Sequence, residues 1–309
     1  MFFSVIITTY GKRTGKLKRA INSVLNQSFK DFEIIIIDDN GKDLEIKNAN
    51  KKLITDLNLA KKIRYFTYSE NKGANFARNY GIRKSQGEYI AFLDDDDEFL
   101  EKKLEKVYKQ ILKEQIGLIY SNVNYIEDLK NYVEEKKYYD EKKIKKEILK
   151  GNFIGPTSAV VINKNILNEI GVFNEKLKSC QDWELWIRVI LFNKKIIKID
   201  EPLINCYINR QEKTRISNNY IGRLQGHQSV LEIVTQNYLD KFSKTDGEEI
   251  LFNQKMRIVT IHYMNHNFKK YRKEFRKIYN FKYVLIKDYI RYFCSFFNIV
   301  ITSKGILKK

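Results

Sequence analysis

The sequence predicts an open α/β fold in which a mostly parallel sheet is flanked by helices. Two patterns indicate it: β-rich runs alternate with helical stretches over residues 1–120, and several of these runs are apolar almost throughout. Strands that are apolar on both faces are typical of parallel sheets covered by helices on both sides. Strands and helices in alternation connect parallel strands through right-handed crossovers. At 309 residues, 43% of them hydrophobic, the chain can bury one large core or two smaller ones.

Five strands and four helices are expected in this first part. The strands are predicted at residues 4–10, 32–38, 62–68, 88–94 and 117–123. The helices are predicted near residues 16–27, 43–60, 74–85 and 98–113. Ligands in open α/β sheets bind at the carboxyl ends of the strands, so the residues that follow three of these strands should meet at one rim. They are Thr8, Thr9 and Tyr10, then Asp38 and Asp39, then Asp94 to Asp97.

The pattern changes in the second part of the chain. Helices are predicted near residues 164–170 and 181–192, and strands at 195–200 and 203–208. Beyond residue 216 the chain is helical in character, with aromatic and basic residues interleaved. We therefore predict a first domain over residues 1–215, with halves at 1–123 and 124–215, and a helical extension over residues 216–309.

A run of four aspartates follows the fourth predicted strand, in the stretch FLDDDDEFL. Residues two apart on an extended chain point the same way, so Asp94 and Asp96 can face one site together. Two carboxylates beside a phosphorylated ligand suit Mg²⁺ or Mn²⁺. Acidic residues also favour a helix N-terminus, and this interpretation applies to Asp97 and Glu98. It does not explain four acidic residues at the rim of a sheet.

The cysteines and the N-terminus indicate a cytoplasmic protein. Cys180, Cys206 and Cys294 are widely spaced and odd in number, which argues against a disulfide framework and for a reducing compartment. The N-terminal stretch MFFSVIITTYGKR has no basic residue before its apolar run and no small-residue cleavage site. It is expected to form the first strand and not a signal peptide.

The net charge of +19 is concentrated near the C-terminus. Residues 255–309 contain 14 Lys and Arg residues against two acidic residues, a net charge of +12. The longest uncharged run there, residues 292–303, has 12 residues and is too short to span a bilayer. On a helix one apolar face would form, and its members are Ile286, Tyr289, Ile290, Phe293, Phe296, Phe297 and Val300.

A basic, aromatic, amphipathic helix suits an anionic membrane surface. The alternative is a helix packed on the rest of the chain or on a second subunit, as in a homo-oligomer. Nucleic-acid binding would explain the charge. It would not explain the aspartates at the rim, which repel phosphate in the absence of a metal.

Three segments occur in order within residues 3–210: SVIITTYGKRTGKLKRAINSVLNQSFKDFEIIIIDDN, ENKGANFARNYGIRKSQGEYIAFLDDDDEF and SCQDWELWIR. Together and in this order they resemble the inverting family 2 glycosyltransferases with the GT-A fold. The resemblance implies a GT-A catalytic domain over residues 1–215, with a nucleotide-binding half and an acceptor half.

The resemblance also implies roles for the rim residues. Asp94 and Asp96 match the two ends of the family's metal-binding Asp-x-Asp motif, with Asp96 as the direct ligand of Mn²⁺ or Mg²⁺. Asp95 is implied to lie near the ribose or sugar of the donor. The remaining nucleotide-sugar contacts that it implies are Thr8, Tyr10, Asp39, Gly73 and Arg78. Asp39 would hydrogen-bond the base, and a carboxylate can accept the imide N–H of uracil.

Asp182 matches the catalytic base of the family. Inverting sugar transfer needs a group that takes the proton of the acceptor hydroxyl during attack. Relatives carry a Glu-Asp pair here, whereas this chain has Gln181-Asp182. Glutamine keeps the hydrogen-bonding capacity of glutamate and loses its charge. Asp182 also lies where it would cap its helix, which is compatible with catalysis. Arg210 and Arg215 fall where relatives have a flexible basic segment, so either a leaving-group contact or a solvated loop fits them.

The implied function is transfer of a sugar from a nucleoside-diphosphate sugar, expected to be UDP-linked, to a hydroxyl of a glycan or glycolipid. Synthesis of a bacterial surface polysaccharide or lipooligosaccharide would fit the basic tail. The enzyme would then be peripheral on the inner face of the cytoplasmic membrane, with no nucleic-acid partner. The alternatives are a nucleotidyltransferase on a similar sheet and a non-catalytic protein that binds sugar nucleotides or membranes.

Overall fold

The fold is that of a computed structural model, which describes residues 1–57, 62–127, 130–192, 194–208, 219–279, 282–302 and 305–308. The chain forms two compact units. The first comprises Met1–Ile144, Asn152–Lys176 and Gln181–Gln211, and the second comprises Lys145–Gly151, Leu177–Cys180 and Glu212–Lys309. The predicted domain boundary between residues 215 and 216 lies outside the described residues.

The first unit is an α/β structure. Its strands are β1 (Phe3–Thr9), β2 (Phe32–Asp38), β3 (Ile63–Thr67), β4 (Tyr89–Asp94), β5 (Asp97–Phe99), β6 (Leu118–Glu127), β7 (Lys130–Glu134), β8 (Val160–Asn163) and β9 (Ile196–Ile208). Its helices are α1 (Thr14–Leu25), α2 (Leu44–Leu57), α3 (Ala74–Lys84), α4 (Lys103–Ile111), α6 (Lys164–Ile170) and α7 (Gln181–Leu191), while α5 (Glu141–Lys150) continues into the second unit.

The nine strands form one sheet in the order β3-β2-β1-β4-β8-β6-β9-β5, with β7 paired to β6. Strands β1 to β4 pair in parallel, as predicted for the first half. Antiparallel pairs occur where β8, β7 and β5 join, which gives the mixed character of the second half. At the carboxyl end of β1, Thr8 is the register partner of Asp94 and Thr9 that of Asp38. The expected rim of polar residues is therefore formed.

The core of this unit lies on the faces of the parallel strands. All seven residues of FEIIIID in β2 are buried, and the strand has the predicted bounds, residues 32–38. Leu17, Ala20, Ile21 and Val24 of α1 are buried and belong to the same hydrophobic cluster as β1 and β2. Their spacing of three and four residues gives α1 one apolar face, which covers the sheet.

The helix predicted over residues 98–113 is too long at its N-terminal end. Residues 97–99 form β5, which pairs antiparallel with β9, and α4 begins only at Lys103. The interpretation that Asp97 and Glu98 begin a helix is therefore wrong. The two strands predicted at 195–200 and 203–208 are one strand, β9, with irregular register between Ser121 and Asn124 of its partner β6.

The second unit consists mainly of helices. They are α8 (Tyr220–Asn237), α9 (Lys244–Met264), α10 (Phe268–Ile278) and α11 (Ile286–Cys294), followed by a hairpin of β10 (Ile299–Thr302) and β11 (Gly305–Lys308). Val300 lies on β10, is 1% exposed and packs in the core of this unit. Its predicted place on the exposed apolar face is therefore wrong, because the helix ends before it. Within the described ranges, no helix is both long enough and apolar enough to cross a membrane.

Candidate active site

The aspartate run alternates between exposed and buried positions. Asp94 and Asp96 are partly exposed, whereas Asp95 and Asp97 are 3% and 4% exposed. Asp95 and Asp96 form a turn between β4 and β5, so the chain is not extended through the run as predicted, but Asp94 and Asp96 are the two more exposed members. The four carboxylates therefore face two environments, one on the rim and one in the interior.

Asp94 forms an ion pair with Arg78 of α3. The Arg78 Nη2 group donates to Asp94 Oδ1 at 2.7 Å, and Arg78 itself is buried. The Ser158 hydroxyl accepts from the backbone N–H of Asp94 at 3.1 Å, which fixes the end of β4. The other terminal nitrogen of Arg78, Nη1, is buried and has no hydrogen-bond partner among the described residues. A buried donor without a partner is costly, so this nitrogen suits an anionic ligand.

Asp95 is buried beneath the rim and holds the loop after β1. Its carboxylate accepts from the Thr9 hydroxyl at 2.7 Å and from Arg13 Nη1 at 3.1 Å. Burial raises the pKa of Asp95 to about 6, against the opposing effects of the Thr9 hydrogen bond and the Arg13 charge. The predicted contact of Asp95 with the donor sugar stays a prediction, and in this structure its carboxylate contacts Thr9 and Arg13.

Asp97 is the second buried member of the run, and it lies in β5. Its carboxylate accepts from the Cys206 thiol at 3.2 Å across the β5–β9 pair. Burial, followed by the charges of Asp94 and Asp96, raises the pKa of Asp97 above its usual range. Asp97 therefore differs from the rim pair in its burial.

Arg19 of α1 fixes the backbone of Asp96. Its Nη2 group donates to the carbonyl oxygen of Asp96 at 2.8 Å, and its guanidinium stacks on the ring of Tyr207 at 3.7 Å. Arg13 and Arg19 were not among the predicted site residues. Their positions three and nine residues after Tyr10, on a loop and helix that follow a rim strand, are the only sequence signal that points to them.

Asp39 organises the loop before α3. Its Oδ1 accepts from the Tyr68 hydroxyl and the N–H of Lys72, at 2.8 and 2.7 Å. Its Oδ2 accepts from Asn71 Nδ2 and the N–H of Gly73, at 3.0 and 2.8 Å. Two acceptor positions on each oxygen are thus occupied. Contact with a base, which stays a prediction, would require one of these hydrogen bonds to open.

The predicted nucleotide residues near this loop lie at the rim. A cavity of about 400 Å³ is lined by Tyr10, Asn40, Gly41 and Asn71, with other residues of the same loops. Tyr10 is 54% exposed, so its ring offers an open face to a planar ligand. Gly73 has a φ of +85°, a conformation that side chains rarely adopt, and its N–H is the group that Asp39 accepts from. Thr8 is partly exposed at the end of β1.

Asp182 lies in the first turn of α7, and Asn152 holds its side chain. Asn152 Nδ2 donates to Asp182 Oδ2 at 3.1 Å and to the carbonyl of Gly155 at 3.2 Å. Burial raises the pKa of Asp182, whereas hydrogen bonding from the Trp183 backbone and the Arg78 charge lower it. The Asp94 charge acts in the raising direction. Asp182 is therefore electrostatically coupled to both members of the Arg78–Asp94 pair.

Asp94 and Asp96 fit a divalent metal as part of its ligand set. Both are carboxylates on the rim, the side chain of Asp94 is 33% exposed, and Asp96 is partly exposed. In the part of the chain that the structure describes, no group of three or more His, Cys, Asp or Glu side chains could hold a metal ion. Mg²⁺ is commonly held by one or two carboxylates together with phosphate oxygens and water. The two aspartates match that mode and would need the ligand to complete it.

Two predicted residues of this region cannot be placed. Arg210 and Arg215 lie outside the described residues, so their suggested contact with a leaving group stays a prediction.

Gln181, at the position of the family's Glu, has a buried Oε1 without a hydrogen-bond partner among the described residues. A buried acceptor beside Asp182 and a buried donor on Arg78 both suit a polar ligand.

Comparison with known proteins agrees with this combination of sheet, aspartate rim and Asp182 carboxylate. The family model of Glycosyl transferase family 2 matches residues 4–171. The chain belongs to this family and is a glycosyltransferase. An uncharacterized glycosyltransferase of Methanocaldococcus jannaschii is 34% identical over 225 residues, which cover 72% of this chain and 74% of the relative.

Two further relatives extend the comparison. An uncharacterized glycosyltransferase of Rickettsia conorii is 31% identical over 226 residues and 70% of this chain, but the match spans only 36% of that longer relative. The Escherichia coli protein WfgD, described as a UDP-Glc:alpha-D-GlcNAc-diphosphoundecaprenol beta-1,3-glucosyltransferase, is 29% identical over 242 residues. That match covers 76% of this chain and 87% of WfgD.

The predicted fold class is confirmed by a solved structure. The crystal structure of Staphylococcus aureus TarS residues 1–349 in complex with UDP-GlcNAc superposes with a TM-score of 0.69 at 17% identity. The likeness covers 100% of this chain and 97% of that one. The mixed α/β sheet with C-terminal helices is therefore of the GT-A type, as in TarS.

Proposed function

We propose that this chain is a metal-dependent inverting glycosyltransferase that moves a sugar from a nucleoside-diphosphate sugar to an acceptor hydroxyl. The observation that carries the proposal is the grouping of Asp94, Arg78 and Asp182 at the carboxyl end of the sheet. It provides a rim carboxylate, a buried guanidinium with an unsatisfied N–H, and a second carboxylate of raised pKa. These are the groups that a direct displacement of a nucleoside diphosphate needs.

Asp182 is the general base in this proposal. A raised pKa brings a carboxylate closer to the operating pH and makes it a stronger base when it is ionised. Asn152 orients the Asp182 carboxylate, and the hydroxyl proton of the acceptor moves to that carboxylate as the oxygen attacks the sugar carbon. The bond to the diphosphate breaks in the same step, so the anomeric centre is inverted and no covalent enzyme intermediate forms.

Arg78 and the aspartate rim hold the diphosphate side of the donor. Arg78 Nη1 is available to a phosphate oxygen, and a guanidinium binds phosphate in a fixed geometry. Asp96, together with Asp94, would hold Mn²⁺ or Mg²⁺. The metal would offset the charge that develops on the departing diphosphate. Tyr10, Thr8 and the Asp39 loop then form the nucleoside side, with the ring of Tyr10 against the base.

UDP is the nucleotide we propose for the donor. Both a relative and a structural neighbour have UDP-sugars in their descriptions: WfgD with UDP-Glc and TarS with UDP-GlcNAc. For the acceptor we propose a glycan or glycolipid in bacterial surface polysaccharide or lipooligosaccharide synthesis. The lipid-linked acceptor in the name of WfgD and the basic C-terminal segment of this chain support that class.

A donor panel tests the function. The purified chain is incubated with UDP-, GDP- and dTDP-sugars with Mn²⁺, with Mg²⁺ and with EDTA, and the release of nucleoside diphosphate is followed. We expect metal-dependent release from at least one UDP-sugar. Asp182→Asn should reduce that release by about 10²–10⁴-fold, because it removes the base. Its affinity for UDP with Mn²⁺, measured by calorimetry, should stay within about twofold, because the change is isosteric and leaves Arg78 and the aspartate rim, which hold the diphosphate, in place.

The matched control is Asp200→Asn, a carboxylate whose side chain is 83% exposed. It should leave release and UDP affinity unchanged. Full activity of Asp182→Asn would remove the base assignment. Absence of binding and turnover with every nucleotide sugar would overturn the proposed function, and undiminished turnover in EDTA would overturn its metal dependence.

A further inference from the structure

Helix α11 and the turn after it expose an apolar face. Ile286, Phe293 and Phe297 are 79%, 65% and 60% exposed. The members of this surface, called the α11 face below, are Leu285, Ile286, Tyr289, Ile290, Phe293, Phe296 and Phe297. Spacings of three and four residues align them along one side of the helix. Soluble proteins rarely expose a contiguous apolar surface of this kind unless it contacts a partner or a membrane.

A cavity of about 280 Å³ adjoins this face within the C-terminal unit, and Leu285 belongs to both. Its cationic lining comes from three helices: Arg223 of α8, Arg257 of α9, and Lys287 and Arg291 of α11. Asp288 is the one acidic side chain among the described residues that line it. Its carboxylate already lies 3.6 Å from Arg291 and accepts from the N–H of Leu285 at 3.2 Å.

The positive groups of this cavity are close together and partly desolvated. Burial lowers the pKa of Arg223 and of Arg257. It also lowers the pKa of His227 to about 4, with further lowering by the charges of Arg257 and Arg223. None of the acidic side chains in the described ranges forms an ion pair with Arg223.

Arg257 is fixed in this arrangement before any ligand binds. Its Nε group donates to the carbonyl of Lys150 at 2.6 Å. Its guanidinium lies against Gly151, where a Cβ would be 1.5 Å from Nη2. Clustered cations, one of them held by backbone contacts, attract an anion.

We propose that the C-terminal unit docks on an anionic membrane surface. The α11 face lies in the bilayer interface, and the cavity beside it takes the phosphate of an anionic lipid. Aromatic and aliphatic side chains on one face, with basic residues around them, are the composition of interfacial helices. Charge complementarity selects the membrane over a second copy of this chain, because residues 255–309 carry a net charge of +12 and would repel their own copy.

Co-sedimentation of the full chain with vesicles tests this proposal. Phosphatidylcholine vesicles are compared with vesicles that also contain phosphatidylglycerol, in the absence of any nucleotide sugar. The result is therefore independent of the proposed sugar transfer. We expect binding to the anionic vesicles only. The double variant Phe293→Ser/Phe297→Ser should weaken it by about tenfold or more, because it removes apolar contact with the interface. Arg223→Gln should weaken it several-fold by removing a cation from the cavity.

Matched controls test the α11 face and the cationic cavity separately. Leu112→Ser changes an apolar residue that is 66% exposed in the other unit, and Lys255→Gln removes an exposed cation of α9 that does not line the cavity. Both controls should bind nearly as the native chain does. Thermal melting checks that the variants are folded, and Ile286→Ser provides a second, single change if the double variant melts early.

Three outcomes would overturn the proposal. The first is failure of the native chain to bind anionic vesicles. The second is an equal loss of binding in Arg223→Gln and Lys255→Gln. That result would mean that the vesicles respond to the overall positive charge and that the cavity is not a site for the lipid phosphate. The third is a dimer in light scattering that Phe293→Ser/Phe297→Ser converts to a monomer, together with no vesicle binding, which would make the α11 face an interface between copies.

Discussion

Arg78 Nη2 lies 2.7 Å from Asp94 Oδ1 and connects the aspartate rim to the carboxylate of Asp182. The guanidinium is buried, and its second terminal nitrogen has no hydrogen-bond partner in the described part of the chain. Arg78 of α3 therefore pairs with one predicted metal ligand, Asp94, and lowers the pKa of the predicted base, Asp182. Helix α3 is held in turn by Asn79, whose side chain donates to the carbonyl of Phe173 at 2.9 Å.

Replacement of Arg78 should separate its binding role from its effect on Asp182. Arg78→Lys keeps the positive charge but cannot contact Asp94 and a phosphate at once, so we expect the affinity for UDP with Mn²⁺ to fall about tenfold, the loss of one charge-assisted hydrogen bond. Arg78→Met removes the charge that lowers the pKa of Asp182. The acidic limb of its pH–rate profile should therefore move to higher pH.

Arg83→Lys, an exposed residue of the same helix, is the control and should change neither property. Calorimetry measures the affinity, and initial rates across the acidic range give the limb. Unchanged affinity in Arg78→Lys would show that the guanidinium serves Asp94 alone. If the acidic limb of the pH–rate profile does not move in Arg78→Met, the pKa of Asp182 does not determine that limb.

Asn152 is expected to act as a positioning residue for the base. Asn152→Ala removes the donor that lies 3.1 Å from Asp182 Oδ2, so the rate of transfer should fall about tenfold or more while the KM for the donor stays the same. Asn152→Asp places a second carboxylate against Asp182 and should raise the pKa of that base further. A base must be ionised to act. As the pH is lowered, Asn152→Asp should therefore lose activity at a higher pH than the native chain does. Asn165→Ala, an exposed asparagine of α6, should behave as the native chain.

The sequence predicts the parallel half of the fold well, and the reason is local. Strand β2 contains four consecutive isoleucines, Ile34–Ile37, and their β-branched side chains and the short length of the run indicate a buried strand. Strand β5 is different, because its three residues pair with β9 more than a hundred positions away. The acidic and lysine-rich pattern after Asp97 favours a helix locally, and pairing with a distant strand overrides it. Val300 is misplaced for a similar reason, since its hairpin depends on contacts with the C-terminal core.

The same distinction applies to the site. The shared exposure of Asp94 and Asp96 agrees with the predicted two-residue period, although Asp95 and Asp96 form a turn and not a strand. The partners of the run come from far along the chain: Arg13 lies 82 positions from Asp95, and Arg19 lies 77 positions from Asp96. No spacing rule connects them. The four donors around Asp39 also include two backbone N–H groups, which no residue type in a sequence marks.

Gly87 should tolerate no side chain, whereas Gly15 should. A Cβ on Gly87 would lie 2.5 Å from the backbone nitrogen of Ser4 in β1, and backbone cannot turn aside as a side chain can. Gly87→Ala should therefore lower the free energy of unfolding by about 1–3 kcal/mol. Gly15 lies in α1, and apart from its own helix backbone and its chain neighbours nothing lies within 4 Å of the position that a Cβ would occupy, so Gly15→Ala should be neutral or stabilising by less than about 1 kcal/mol. Chemical denaturation measures both, and equal effects would contradict the close approach at Gly87.

Lys103 should make stability depend on pH in the alkaline range. Its ammonium is buried, donates to the carbonyl of Ser158 at 3.1 Å and lies 4.7 Å from the ring centre of Phe99. Burial lowers the pKa of Lys103 from 10.5 to about 7. Between these two values the unfolded chain binds a proton that the folded chain does not, so the free energy of unfolding rises with pH. Lys103 alone contributes a slope that approaches about 1.4 kcal/mol of unfolding free energy per pH unit.

Lys103→Met should abolish that contribution, because methionine fills a similar volume and has no charge to desolvate. Relative to the variant, the native chain should be penalised most below pH 7 and least above pH 10.5, where lysine is neutral in both states. Groups that titrate in this window without interacting with Lys103 are shared by the two proteins and cancel in the difference. Lys113→Met, an exposed lysine near the end of α4, serves as the control. Denaturation curves at several pH values decide the question: a constant difference in unfolding free energy across the window would mean that Lys103 stays charged in the folded chain.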